Sequence, residues 1–303
     1  MIILKLLNPV FAIVTAPLLL GIINRTKAVF AGRTGQPILQ PYYDIWKLFR
    51  KGAVYSRSTS WIFRAGPLIG ISVTLTAATL IPFGGLPAVI AFNGDLILFA
   101  YLFGLLRFFT VLMAIDSGSS FEGMGASREV TFSTFSEPAL LIGLAAVAKY
   151  TGYTSLSQMF SSINTSSWLN AGPAFVLVGF AILVVFLTEN SRIPIDDPNT
   201  HLELTMIHEV MILDHSGPDL ALILYAAAIK MWLLGTILIG IVVPVHSGNI
   251  LLDVSAAMLS MMLLAVLVGI IESSMARLRL LRVPQLLLGA TTLSILAMVL
   301  VLR

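Results

Sequence analysis

The chain contains no cysteine. It therefore cannot hold an iron–sulfur cluster through thiolates, close a disulfide or use a thiol nucleophile, and any electron carried near it belongs to another polypeptide. Charge is also scarce, at 11% of residues. The glycine-rich phosphate loop, the G-x-S-x-G elbow and the H-E-x-x-H helix are all missing, which removes the usual sequence grounds for a nucleotide, acyl-transfer or zinc-hydrolase site. Basic residues never alternate with aromatics in a soluble stretch, so no nucleic-acid partner is expected, and no catalytic residue is assigned.

What is abundant is apolar sequence: 57% of residues are hydrophobic, and the mean hydropathy is +0.95. A helix needs about 20 apolar residues to cross a hydrocarbon core of roughly 30 Å. By that measure eight spans are predicted, over 2–23, 65–83, 94–115, 130–151, 170–188, 220–244, 250–271 and 281–302. The runs are continuous and lack inside/outside alternation, which favours helices over a β-barrel. The expectation is an all-α integral membrane protein, one polytopic domain over 1–303. No small-residue cleavage site follows the first span, which is read as retained.

Basic residues mark the cytoplasmic loops. Arg25, Lys27, Arg33, Lys47, Arg50, Lys51, Arg57 and Arg64 fall between the first two spans, and Arg128, Arg192, Arg277, Arg279 and Arg282 fall in the loops after spans three, five and seven. The other connections, 84–93, 152–169 and 245–249, hold no Lys or Arg. The loops 24–64, 116–129, 189–219 and 272–280 are thus expected in the cytoplasm, with both termini outside. In the first loop Tyr42, Ile45, Trp46 and Phe49 recur at helical spacing opposite charged residues, which predicts an amphipathic helix over 42–51 lying on the membrane surface.

The segment 189–217 is unusually charged for a membrane protein. It carries Glu189, Asp196, Asp197, Glu203, Glu209 and Asp214 of the chain's 15 carboxylates, and His201, His208 and His215 of its four histidines. That concentration points to protons or cations; no recognised ligand spacing argues for a metal. Within the spans, Arg107, Glu137 and Lys230 stand out, because an ionisable group in the bilayer core is costly unless paired or hydrated. Counting from the cytoplasmic ends places all three about 10–15 Å deep, where they could pair. A carboxylate flanked by two cations can take or release a proton as their distances change. Glu189, Asp196, Glu203, Glu209, Asp214 and His215 would lead into this relay.

Three stretches carry a resemblance. Gly32 to Leu48 reads G-R-x-G-x-x-x-L-Q-P-x-x-D-x-x-K-L; GASREVTFSTFSEPALL, 125–141, places Arg128 nine residues before Glu137; ENSRIPIDDPNTHLELT, 189–205, follows. In order and spacing they resemble the H-type membrane subunits of respiratory complex I and their relatives in membrane-bound hydrogenases. The departures are Asn199 and His201, where respiratory members carry Glu. ESSMARLRL at 272–280 and Asp116-Ser117-Gly118 are instead similar to the formate hydrogenlyase and group 4 hydrogenase branch.

The resemblance implies a non-catalytic, membrane-anchoring and coupling subunit of a redox-driven proton or sodium pump in the prokaryotic cytoplasmic membrane. Glu137 is a buried position in that family. The implied partners are a hydrogenase-like large subunit, an iron–sulfur small subunit and antiporter-like membrane subunits. Iron–sulfur clusters and a nickel–iron centre would reside in those partners, and this chain would hold no cofactor. Docking is implied for Arg33, Gln40, Asp44, Lys47, Arg128 and Arg192. The alternatives are a quinone-site subunit of a respiratory enzyme and a stand-alone secondary transporter, for which no internal repeat argues.

Overall fold

The computed structural model describes residues 2–196, 206–244 and 246–303, so Glu203, with Asp197, Asn199 and His201, lies outside the described residues. Among the described residues the chain is helical: α1 (Ile2–Phe30), α2 (Gln40–Phe49), α3 (Trp61–Leu80), α4 (Asp95–Asp116), α5 (Ser120–Thr151), α6 (Leu156–Ser162), α7 (Thr165–Glu189), α8 (Gly217–Val242), α9 (Ile250–Ser274) and α10 (Val283–Leu302), with 3-10 turns at Glu209–Ile212 and Leu280–Arg282. Eight of these helices are long and apolar enough to cross a membrane. All eight expected spans are present, and the protein is an integral membrane protein. Two bounds differ. α1 runs seven residues past 23, beyond the apolar run, and α5 begins at Ser120 rather than at 130. Glu122, Arg128 and Glu129, which read as loop charges, therefore sit on a spanning helix.

Helix ends are fixed by local capping, because the first backbone amides of each helix have no partner inside it. Ser60 accepts from Ile62 N at 3.2 Å, and Asp116, at the end of α4, accepts from Ser60 N and Phe63 N, which locks the start of α3 to the end of α4. Asn164 and Ser167 form a reciprocal capping box at α7. At the end of the bundle whose connections hold no Lys or Arg, Asp95 is fully buried and accepts from Ser155 Oγ and Leu156 N, both at 2.7 Å, joining α4 to α6.

α8 is the buried axis, with α3, α1 and α7 packed around it; α9 lies mainly on α1, and α10 on α5 and α7. In a bilayer such packing rests on close van der Waals fit and interhelical hydrogen bonds rather than on apolar burial. Ser294 Oγ of α10 donates to Ala139 O of α5 at 2.7 Å in this way. The amphipathic helix is α2, two residues earlier than expected. Its Tyr42, Ile45 and Leu48 side turns toward α1 and α8, while Tyr43 and Trp46 are exposed by 58% and 61%.

Candidate functional site

Arg107, mid-way along α4, is the hub of a charge cluster. Its Nη2 lies 2.5 Å from Glu189 Oε1 at the end of α7, its Nη1 bonds Glu137 Oε1 on α5, and its Nε is 3.7 Å from Glu129 Oε1, also on α5. Lys230 Nζ, from the centre of α8, stands 3.9 Å from the other oxygen of Glu189, and Ser136 Oγ donates to Glu189 Oε1 at 2.8 Å. One guanidinium thus addresses three carboxylates, one through each of the three nitrogens of its planar fork. Three carboxylates against two cations leave one formal negative charge in a nearly dry setting, so the cluster can accept one proton and become neutral.

A cavity of about 40 Å³ touches Arg107, Glu129, Glu189, Lys230 and His208. A water needs only about 10–15 Å³ of such volume, so the space suits a few waters bridging these groups. His208 lies outside the spans; burial, reinforced by Lys230, holds its imidazole down at about 4, so it is neutral at pH 7 and can pass a proton only by a brief charged state.

The remaining expected relay residues fall in separate places. His215 is buried against Phe63, ring on ring at 3.8 Å, and burial lowers it to about 4; it does not line the cavity. Asp196 is buried, accepts from Ile207 N at 2.9 Å and pairs with Arg277 at 2.8 Å, fastening the acidic segment to the connection before α10. Leu278 N donates to Pro194 O at 2.8 Å in the same seam. Glu209 opens the 3-10 turn, and Asp214 donates its backbone amide to Glu122 at 3.0 Å. Glu203 lies outside the described residues.

Two placements correct the expectation. Glu137 is not buried within the chain: its side chain is 49% exposed on the flank of α4 and α5, because only its inner edge meets Arg107. Arg192, expected on the docking surface, is buried and turned inward to Glu272 Oε1 at 3.3 Å, where Lys27 holds the other oxygen at 2.8 Å. A buried carboxylate on α9 needs compensating charge, and the two cations supply it. Of the other docking candidates, Arg33, Asp44 and Lys47 are exposed, Gln40 donates to Asp44 at 2.8 Å, and Arg128 donates to Met206 O at 2.8 Å.

Sequence reading missed Glu129, Glu122 and Glu272. Glu129 precedes Glu137 by eight residues, a spacing that shares a helical stripe once α5 is known to start at Ser120.

A bundle of spanning helices with an ionic hub among its middle turns defines a polytopic membrane protein. The family model described as NADH dehydrogenase matches residues 2–302, and the chain belongs to that family. It is 31% identical over 272 residues to formate hydrogenlyase subunit 4 of Escherichia coli (strain K12), covering 88% of this chain and 87% of that protein. It is also 31% identical over 286 residues to hydrogenase-4 component C of the same organism, covering 91% and 88%. Identity to NADH-quinone oxidoreductase subunit 8 of Thermus thermophilus is 28% over 177 residues, covering 55% of this chain and 47% of that one. A solved chain of the membrane-bound sulfane sulfur reductase, an archaeal respiratory membrane complex, shares the fold with a TM-score of 0.86 at 20% identity, covering 99% and 98%.

Proposed function

We propose that this chain is the membrane-embedded coupling subunit of a hydrogenase-type redox complex, turning electron transfer in a peripheral arm into movement of a proton or sodium ion. The observation that supports it most is the Arg107 hub, which draws Glu129, Glu137 and Glu189 from two helices onto one guanidinium beside Lys230 and a small cavity. A merely structural ion pair needs one partner and no cavity. Three carboxylates sharing two cations form a site whose charge state changes when any distance changes.

In this reading the basic end faces the cytoplasm, with both termini outside, and receives a hydrogenase-like large subunit and an iron–sulfur small subunit at Arg33, Gln40, Asp44 and Lys47. Electrons stay on clusters in those partners. Their redox state moves Glu189 at the end of α7 together with the described stretch 206–217, which carries the cavity-lining His208. Displacing Glu189 from Lys230 by a few ångströms weakens its compensation and draws in a proton; the return expels it.

Glu137 then matters for direction. A half-exposed carboxylate in mid-span is costly against acyl chains. A second membrane polypeptide seated against α4 and α5, an antiporter-like subunit receiving the ion, would cover it. The test is purification of the tagged chain in mild detergent with identification of what accompanies it. Recovery of an iron–sulfur subunit, a nickel-site-type large subunit and further polytopic chains is expected. Isolation of the chain alone, active in ion transport by itself, would overturn the reading in favour of a transporter.

A further inference from the structure

α1 stays helical from Ile2 to Phe30 but lacks a backbone hydrogen bond in its middle. Pro17 has no amide hydrogen, so the carbonyl of Ile13, four residues earlier, has lost its helical partner. Thr15 bonds back to Phe11 O at 2.6 Å, a second feature that loosens the same turn. Two tyrosines from elsewhere reach the carbonyls of this turn. Tyr225 of α8 donates to Ile13 O at 2.8 Å, and Tyr42 of α2 donates to Val14 O, with the Leu18 amide beside the same phenol. Just below, Gly21 lets the backbone of the α1–α2 connection come close: a Cβ there would stand 1.8 Å from Ile38 O.

Satisfying an orphaned carbonyl is a sufficient structural reason for Tyr225. Tyr42 is a different case: its hydroxyl donates to Val14 O and accepts from the Leu18 amide, so a side chain of α2 stands inside the hydrogen-bond ladder of α1 at the turn that Pro17 has already weakened. Tyr42 is not placed by chance, since it is one of the inward residues of a helix whose other face carries exposed Tyr43 and Trp46.

The two tyrosines also lie at informative positions. Tyr42 sits on the helix that bears Gln40, Asp44 and Lys47. Tyr225 precedes Lys230 by five residues on α8, a rise of about 7.5 Å, and Lys230 reaches Glu189. A proline is a recognised bending point of a helix, and inserted side chains set how far it bends.

We propose that Tyr42 and Tyr225 are positioning residues that clamp the Pro17 turn of α1 and so join the surface helix α2 to the helix carrying Lys230. The inference rests on the coupling reading above. A shift of α2 under a docked partner changes the bend of α1, and Tyr225 passes that change to the register of Lys230 against Glu189. The tyrosines touch no ion and act only through α1 and α8.

The test uses the intact complex, purified through this chain, reconstituted in liposomes and driven by reduced methyl viologen, with ions moved per electron as the readout. Tyr225→Phe and Tyr42→Phe keep the rings. Each is expected to lower that ratio about fivefold or more, the lower end of ordinary coupling energies, while assembly and redox turnover are unchanged. Pro17→Ala combined with Tyr225→Phe separates linkage from mere satisfaction, because the backbone amide that alanine restores at position 17 would bond Ile13 O. The ratio is expected to stay low, and its recovery in the double variant would show that Tyr225 only fills a carbonyl, overturning the clamp. Lys230→Ala is the control. If it abolishes ion movement while both Phe variants transport normally, the clamp alone is wrong; if Lys230→Ala also transports normally, the coupling reading has failed and the clamp with it.

Discussion

Arg107 and Glu189 are 82 residues apart in sequence and 2.5 Å apart in space. That contact pins the end of α7, where the acidic segment begins, to the middle of α4. The segment's first carboxylate is therefore a member of the intramembrane cluster rather than an approach to it.

Removing the hub leaves Glu129 and Glu189 facing only Lys230, with Glu137 unpaired. Arg107→Ala is expected to destabilise the protein by about 3–5 kcal/mol, the range for stranding partners of a buried pair. Arg107→Lys should recover part of the stability but not the three-way geometry. Thermal unfolding in detergent measures both, and equal stability of the alanine variant and the parent would contradict the hub.

Glu137 should separate stability from function. Its side chain lies on the flank of α4 and α5, and glutamine keeps the size and an acceptor for Arg107, so Glu137→Gln is expected to fold and assemble like the parent. Coupled ion movement should nevertheless fall sharply in the reconstituted complex. An undiminished ion yield would remove Glu137 from the path.

His215 gives a pH signature. Burial against Phe63 holds it at about 4 in the folded protein, below the ordinary 6.5, so the unfolded chain binds the extra proton. Stability is fully present above about pH 6.5 and declines as pH falls toward 4, by up to about 3 kcal/mol from this residue. His215→Leu, which keeps an apolar group against Phe63, should flatten that decline; an unaltered slope would mean that His215 is not the group responsible.

Gly125 marks where the acidic segment rests on α5. A Cβ there would fall 2.3 Å from Val210 Cγ1 and 2.9 Å from Ile207 O. Gly125→Val is expected to cost about 1–3 kcal/mol by overpacking and to push the 207–212 stretch away from the cavity. Faster amide hydrogen exchange in that stretch would show it, and exchange unchanged from the parent would argue against the close packing.

The spans were legible because twenty-residue apolar runs have few other uses, and Arg107, Glu137 and Lys230 were legible because charge in such a run is rare. Glu129 was hidden by a different feature: Glu122, Arg128, Ser and Gly residues make the first ten positions of α5 look like loop, although the helix continues through them. The burial of Arg192 depends on Glu272, 80 residues away, and the Tyr225–Ile13 bond joins positions 212 apart. No local pattern encodes such pairings, and only the three-dimensional packing reveals them. The acidic segment, by contrast, announced its chemistry by composition but not its geometry, since Asp196 proves to be an anchor and Glu189 a member of the hub.

The most direct test of the central claim is the number of ions moved per electron by the reconstituted complex carrying Glu189→Gln. Glutamine keeps the size and an acceptor for Ser136 and Arg107 but cannot exchange a proton. Redox turnover with ion movement reduced to background is the expected result. Ion movement per electron equal to that of the parent would contradict the claim that this cluster couples the two processes.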